Sequence, residues 1–275
     1  MYIHSKALRF SNNKSQSIKP EGEKKKKFCF SNPFFPSFDS SVSKSNHLPE
    51  PELDYFVMSA APKKITVLIS GSGTNLQALI DASQAGKLAG AQITRVISSS
   101  PTAYGLERAA KAGIPTIIHS LQSEKYYANV PKTDKAGRKQ AREQFNRDLA
   151  EIVLSSPTDL IVCAGWMLIL SPLFLEPLEK SGLPIINLHP ALPGAFAGIN
   201  AIERAWEAGQ KGEITKAGVM IHKVIIEVDE GEPLLVKELE IKKDETVEAY
   251  EQRVHDIEHI AIVEGTVKAL TELCK

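Results

Sequence analysis

Residues 65–80 read ITVLISGSGTNLQALI. The apolar run at 65–70 predicts a buried strand, and Leu76, Leu79 and Ile80 then recur at the spacing of a helix. The glycines between the two elements suit a tight turn at the start of that helix. A strand that passes through a short turn into a helix is half of a βαβ unit, so this stretch predicts an α/β fold.

The same alternation continues along the chain. Short β-branched runs predict further strands at 93–98, 115–119, 159–164 and 184–188, and amphipathic periods predict helices near 103–112, 139–155, 171–180 and 199–208. Strands that alternate with helices favour an open, mostly parallel, twisted sheet with helices on both faces, which is a Rossmann-like arrangement.

The pattern changes after Gly218. Two longer strand-like runs, 219–226 and 234–241, flank a turn at 229–233, and their close spacing predicts antiparallel strands at the sheet edge near the C-terminus. A closing helix is predicted at 246–270. The polar stretch 121–137 is predicted to be a surface loop.

Composition excludes several classes of protein. The 275 residues are 43% hydrophobic and carry no formal net charge, so no whole-molecule field favours nucleic acid or an anionic membrane. The most apolar stretch, 160–175, is shorter than the roughly 20 residues of a membrane-spanning helix and contains Gly165 and Pro172. Three distant cysteines argue against a disulfide framework and for a reducing, cytoplasmic compartment.

Residues 1–60 differ in composition from the remainder. They are rich in Ser, Asn, Lys, Phe and Pro and show no sustained helix or strand period, so we expect a disordered extension ahead of a domain at 61–275. An upstream start before a natural Met58 explains the same composition. Organelle import is the other alternative, since the first 20 residues contain no acid and four basic residues.

The glycine-rich loop at 71–75 predicts an anion site. Free N–H groups at the start of a helix attract negative charge, and glycine lets the backbone approach the ligand. A dinucleotide fingerprint is incomplete, because Leu76 occupies the third glycine position and no acid ends the second strand. A monophosphate cradle is therefore favoured, with a tight structural turn and a nucleotide site as alternatives.

Asn187 and His189 end the strand predicted at 184–188. They are two residues apart, so their side chains point to the same face, at the carboxyl end of a parallel strand where open α/β sheets bind ligands. Asparagine can donate a hydrogen bond to a developing oxyanion, and histidine can exchange a proton near neutral pH. Taken alone, such a histidine is more often a structural residue with satisfied hydrogen bonds than a catalytic one.

Three segments together resemble one family. GSGTNLQALI at 71–80, NLHPALPG at 187–194 and VDEGEP at 228–233 occur in the order and spacing of the glycinamide ribonucleotide formyltransferases, which are folate-dependent formyltransferases. The resemblance runs from about residue 65 to 270. It implies transfer of a formyl group from 10-formyltetrahydrofolate to the amine of glycinamide ribonucleotide in purine biosynthesis, without a metal.

The resemblance also implies roles for individual residues. The family's catalytic asparagine, histidine and aspartate fall on Asn187, His189 and Asp229; Asp229 would raise the pKa of His189 and favour its imidazolium form. The matching substrate positions are Gly73, Thr74, Asn75, Gly165, Pro190 and Glu258. The matching folate positions are Arg142, Met167, Leu168, Ile169, Leu170 and Asn187. A monomer or a homodimer is expected, with no nucleic-acid or membrane partner.

Rival interpretations stay open at this point. Residues 255–259 match an H-x-x-E-H zinc pattern, although no third ligand is evident. Methionyl-tRNA formyltransferase and formyltetrahydrofolate hydrolase share the Asn-x-His-Pro centre. The first normally has a further basic domain, whereas 86 residues follow His189 here; the second usually has an N-terminal regulatory domain. The interpretation as a nucleotide-binding oxidoreductase depends on the glycine loop alone.

Overall fold

The computed structural model describes residues 61–273. The predicted N-terminal extension at 1–60 lies outside these residues. The described chain forms a seven-stranded sheet in the order β3-β2-β1-β4-β5-β6-β7, flanked by six helices. The strands are β1 (Lys64–Ile69), β2 (Gln92–Ser98), β3 (Thr116–Ile118), β4 (Leu160–Cys163), β5 (Ile185–His189), β6 (Lys216–Lys223) and β7 (Pro233–Glu240). The helices are α1 (Thr74–Gln84), α2 (Gly105–Lys111), α3 (Lys135–Leu154), α4 (Pro172–Lys180), α5 (Ala201–Gln210) and α6 (Val247–Glu272).

Strands β1 to β5 are parallel to one another, whereas β6 is antiparallel to both of its neighbours, β5 and β7. The predicted fold class is confirmed, including the antiparallel strands at the C-terminal edge. The strand order reverses between β1 and β4, which are neighbours in the sheet although two strands separate them in sequence. In open α/β sheets such a switch point leaves a crevice at the carboxyl ends of the strands.

The two faces of the sheet bury two separate apolar cores. On β1, alternate residues Ile65, Val67 and Ile69 pack into a core with α1 and α6, whereas Leu68 packs into the core of α3 and α4. This alternation follows from the twofold period of a strand. It explains why the continuous apolar run of β1 predicted a strand covered by helices on both sides.

Two predicted boundaries were wrong. The strand predicted at 219–226 is β6, which begins and ends three residues earlier, at Lys216–Lys223. Residues 224–228 leave the sheet because β7, the only neighbour on that side, begins at Pro233, which pairs with His222. The surface loop predicted at 121–137 ends sooner, since α3 begins at Lys135 with Asp134 as its N-cap.

That loop is also not wholly on the surface. Leu121 and Tyr126 are buried in the core of α3 and α4, and the Tyr126 hydroxyl donates a hydrogen bond to Asp148. On β2, the buried Arg95 side chain donates hydrogen bonds to the carbonyls of Ile152 and Val153 at the end of α3. Within residues 61–273, no helix is both long and apolar enough to cross a membrane.

Candidate active site

A cavity of about 560 Å³ opens at the carboxyl ends of β1, β4 and β5, beside the switch point. Its lining comes from five segments that the sequence separates widely. They are residues 70–75, 163–170, 187–190, 198–203 and 224–229, with His222, His255 and Glu258. Each of the three motifs from the sequence contributes to this cavity.

The glycine loop forms one end of the cavity. Gly73 has a φ of 72°, and a Cβ there would lie 2.6 Å from the Cα of Gly105, so the loop needs glycine for both its conformation and its packing. Gly73 is also the N-cap of α1, and no side chain caps that helix. The first N–H groups of α1 are therefore available to an anion.

Asn75 and Glu258 meet next to this loop. The Asn75 amide Nδ2 donates to Glu258 Oε2 at 3.1 Å, and both residues are buried. Burial raises the pKa of Glu258, and the bond from Asn75 opposes that effect. The Oδ1 of Asn75 is buried without a hydrogen-bond partner among the described residues. A buried acceptor of this kind suits a ligand that brings a donor.

Strand β5 carries Asn187 and His189 to the lining of the cavity. The backbone of Asn187 is paired with Cys163 on one side and with His222 on the other, which fixes its depth in the sheet. His189 is 4% exposed, and its Nε2 is buried with no hydrogen-bond partner in the described part of the chain. That nitrogen is free to interact with a ligand in the cavity.

Asp229 reaches the same point from the turn between β6 and β7. Its Oδ2 lies 3.4 Å from His189 Nδ1 and accepts a hydrogen bond from the Gly198 amide at 3.0 Å. Its backbone has a φ of 59°, the left-handed region that non-glycine residues enter rarely and at some cost. Strained backbone of this kind clusters at functional sites.

The pKa of His189 departs from the expectation. Burial of the ring lowers this pKa below its ordinary value of 6.5, and although Asp229 raises it, burial has the larger effect. A charge on His222 would lower it further. For Asp229, burial raises the pKa, but its contacts with His222, the Gly198 amide and His189 lower it more, so the carboxylate form is favoured. Asp229 raises the pKa of His189, as the resemblance implied, and the larger opposing effect of burial is what sequence reasoning left out.

Apolar side chains form a further part of the cavity lining. Met167 is 72% exposed and Ile169 is also exposed, while Leu168 and Leu170 pack partly against the core of α3 and α4. The Ser70 hydroxyl accepts a hydrogen bond from the Met167 amide, which ties this segment to the end of β1. Further exposed apolar residues line the cavity: Ile199, Ile225, Ile226 and Val228. Such a wall suits a flat, apolar ligand.

Comparisons with known proteins agree with this arrangement. A family model described as formyl transferase matches residues 63–266. The phosphoribosylglycinamide formyltransferase of Saccharomyces cerevisiae is 56% identical over 216 residues, which cover 77% of this chain and 99% of the yeast protein. The enzyme of the same name from Schizosaccharomyces pombe is 50% identical over 209 residues, covering 76% and 97%. The chain belongs to the formyl transferase family.

Solved structures of the family share the fold. Glycinamide ribonucleotide transformylase 1 from Geobacillus kaustophilus matches with a TM-score of 0.63 and 30% identity, over 76% of this chain and 98% of that one. Phosphoribosylglycinamide formyltransferase from Coxiella burnetii matches with a TM-score of 0.61 and 35% identity, over 75% and 86%. The resemblance inferred from three short motifs therefore extends over the whole described domain.

Most of the predicted site residues of this formyl transferase lie together. Of the candidates, Gly73, Thr74, Asn75, Gly165, Met167, Leu168, Ile169, Leu170, Asn187, His189, Pro190, Asp229 and Glu258 all line the cavity. Arg142 is the exception. It lies on α3, where its carbonyl accepts from Asn146, the residue whose own Oδ1 accepts from the Ser171 amide just after the apolar wall.

Sequence reasoning missed two parts of the site. One is His222, which lies within 3.6 Å of Asp229 and 3.1 Å of Asn187. The other is the apolar pair Ile225 and Ile226, which fell within the strand predicted at 219–226. In residues 61–273, no group of three His, Cys, Asp or Glu side chains is placed to hold a metal ion, and Glu258 of the zinc-like pattern bonds Asn75 instead.

Proposed function

We propose that this chain transfers the formyl group of 10-formyltetrahydrofolate to the amine of glycinamide ribonucleotide. The observation that carries the proposal is the position of Asn187, His189 and Asp229. They line the same cavity as an uncapped helix N-terminus and an apolar wall. The phosphoribosylglycinamide formyltransferases to which the chain is similar carry the same activity in their name.

The chemistry assigned to these residues is direct transfer. The substrate amine attacks the formyl carbon, and the carbonyl electrons move to oxygen to give a tetrahedral oxyanion. Asn187 Nδ2 and the imidazolium form of His189 donate hydrogen bonds to that oxyanion, each contributing roughly 3–4 kcal/mol. Asp229, ionised and 3.4 Å from Nδ1, stabilises the imidazolium. On collapse the bond to N10 of the folate breaks, and the proton lost by the amine passes to N10.

Two parts of the cavity lining suit the two substrates. The phosphate is assigned to the N–H groups around Gly73, Thr74 and Asn75, and the amino end of the substrate to Glu258, with Gly165 and Pro190 beside it. The unpartnered Oδ1 of Asn75 supplies an acceptor for a substrate hydroxyl or amine. The pterin is assigned to the wall of Met167, Leu168, Ile169 and Leu170, next to Asn187. Arg142, beyond the cavity lining, is assigned to the more distant part of the folate.

The acceptor is tested by one assay with three substrates. Purified protein and 10-formyltetrahydrofolate are incubated with glycinamide ribonucleotide, with initiator methionyl-tRNA, or with water as the only acceptor. We expect formylation of glycinamide ribonucleotide alone. Formylation of the tRNA alone, or release of formate without an amine, would overturn the proposal in favour of one of the two sister activities.

The catalytic residues are tested by truncation. His189→Ala and Asp229→Ala are each expected to lower kcat at least about a hundredfold, because each removes or unbalances a donor to the oxyanion. His119→Gln is the matched control, since His119 is buried but lies against Phe145 in the other core. It should keep wild-type turnover. Near-wild-type kcat in either alanine variant would contradict the assigned roles.

A further inference from the structure

His222 lies directly across the sheet from Asn187. The two residues are partners in the antiparallel pairing of β5 and β6, and Asn187 Nδ2 is 3.1 Å from His222 Nε2. The histidine is 2% exposed, so the contact is shielded from water. No motif of the sequence pointed to it.

The surroundings of His222 fix which ring nitrogen carries the hydrogen. Its Nδ1 is 2.9 Å from the carbonyl oxygen of Lys223. A carbonyl only accepts hydrogen bonds, so Nδ1 must be the donor. An amide Nδ2 only donates, so His222 Nε2 must accept from Asn187. Both contacts are satisfied together by the ring with its hydrogen on Nδ1.

The backbone around this contact is tightly packed. Gly231 covers the Lys223 carbonyl so closely that a Cβ at Gly231 would lie 1.7 Å from that oxygen. The Lys223 amide in turn donates to the Glu232 carbonyl at 3.0 Å. The turn that carries Asp229 therefore also holds in place the acceptor that orients His222.

The two hydrogens of Asn187 Nδ2 are held unequally. One is engaged by His222 at 3.1 Å, and the other faces Asp229 Oδ1 at 3.5 Å, the outer limit of a hydrogen bond. If the amide were flipped, its oxygen would face two acceptors, the His222 Nε2 lone pair and the Asp229 carboxylate. Together these neighbours fix the nitrogen on this side and leave the second hydrogen available to an oxygen entering the cavity.

We propose that His222 is a positioning residue for formyl transfer, which accepts one hydrogen from Asn187 and thereby aims the other at the reacting oxygen. This role rests on the proposed function of Asn187. His222 does not contact the substrate in this role, because both of its ring nitrogens bond to protein groups. Its contribution belongs to the transition state, so its loss should lower kcat and leave KM nearly unchanged.

Three variants of His222 separate positioning from packing. His222→Gln keeps an acceptor near the position of Nε2 and so keeps the bond from Asn187. His222→Asn places its amide near the position of Nδ1, which keeps the Lys223 contact but loses the one to Asn187. His222→Leu removes both contacts while filling a similar volume. All three are assayed with 10-formyltetrahydrofolate and glycinamide ribonucleotide, with thermal unfolding as a check on folding.

We expect His222→Gln to keep kcat within about threefold of wild type, and His222→Asn and His222→Leu to lose about tenfold or more, with KM for both substrates changed by less than about threefold. In an Asn187→Ala background, His222→Leu should cause no further loss. Equal kcat in the Gln and Asn variants, or an equal loss with and without Asn187, would overturn the proposal.

A second measurement does not depend on activity. In nitrogen-15-labelled protein, the Asn187 side-chain amide should exchange its hydrogens with solvent more slowly in wild type and His222→Gln than in His222→Asn. Identical exchange in all three would overturn the positioning role whatever the enzyme does. A wild-type protein without formyl transfer but with the expected exchange pattern would instead overturn the proposed function and leave the His222–Asn187 bond standing.

Discussion

Two opposing effects set the pKa of His189: burial of its ring and the neighbouring carboxylate of Asp229. Removing the imidazole from water disfavours its charged form, and the carboxylate 3.4 Å away favours it. Burial prevails, so the pKa of His189 lies below its ordinary value in the free protein. The charged form then becomes more favourable when a negative oxygen develops beside the ring, which is where an oxyanion-stabilising group acts.

Asp229→Asn should lower the pKa of His189 further, because it removes the group that most strongly raises it. The chemistry assigned to His189 uses the imidazolium, so activity is lost as pH rises through this pKa. The falling limb of the pH–rate profile is therefore expected at lower pH in the variant. Titration of the His189 ring by NMR gives the pKa directly.

His119 supplies the internal reference for that titration. Its pKa is lowered by burial and influenced by Asp148 and Lys125, with no contribution from Asp229. It should titrate identically in wild type and Asp229→Asn. A His189 pKa that stayed the same or rose in the variant would show that Asp229 does not favour the imidazolium.

At the scale of single residues, the sequence predicted the relations that follow from the geometry of one strand. Asn187 and His189 could be paired because residues two apart share a face at a strand end. Their relation to Asp229 came from family resemblance, since no local pattern shows which turn lies beside which strand. His222 could not be found, because its role depends on the register of β5 against β6 and on the Lys223 carbonyl.

At the scale of elements, β6 shows the limit of strand propensity. The run at 219–226 contains five β-branched apolar residues, yet the strand ends at Lys223. Ile225 and Ile226 lie exposed along the cavity instead. Their composition is that of a buried strand, and what decides otherwise is the position at which β7 begins. The same residues give the cavity an apolar wall.

Helix α6 holds β6 in place through Gly265. A Cβ at Gly265 would lie 2.5–2.8 Å from three atoms of Ile221, the neighbour of His222, and a branched side chain next to the backbone cannot move away easily. In an open helix position, Gly→Ala stabilises by about 0.5–1 kcal/mol. Here we expect Gly265→Ala to destabilise by about 1–3 kcal/mol through overpacking. The sign of the change is the test, measured by urea unfolding.

The contact with Ile221 is tested by a second substitution. In an Ile221→Ala background two of the three close atoms are gone and only the Cβ of residue 221 remains, at 2.8 Å, so Gly265→Ala should cost clearly less than in wild type. If Gly265→Ala stabilised the wild-type background, α6 and β6 would not be in the contact described.

At the scale of the whole molecule, the alternation of strands and helices predicted the sheet, because each helix must bury its apolar face against another element. The order of the strands in the sheet could not be predicted from the sequence, since β4 could have been added on either side of β1. The structure adds it so that the strand order reverses there, and the cavity forms at that reversal. The site is thus a consequence of topology before any side chain is considered.

Buried ionisable groups on both sides of the sheet make stability depend on pH. Burial lowers the pKa of His119, His189 and His259 below 6.5. The unfolded chain therefore binds their protons at a higher pH than the folded protein does, and stability falls as pH drops below about 6.5. Glu258 acts in the opposite direction. Its pKa is raised from 4.5, so its contribution is present at low pH and lost as pH rises through the raised value.

Three histidines oppose one carboxyl, so the melting temperature is expected to fall between about pH 7.5 and pH 5.5. His119→Gln tests the cause, because the glutamine amide can still donate to the Phe145 carbonyl as His119 Nε2 does, while it takes up no proton. We expect a smaller fall in this variant than in wild type, measured by calorimetry at matched ionic strength. Asp148 and Asp229 do not confound the comparison, since their lowered pKa values place their losses below pH 3.8. Parallel curves for the two proteins would mean that His119 carries no part of the pH dependence, and would leave His189 and His259 as its source.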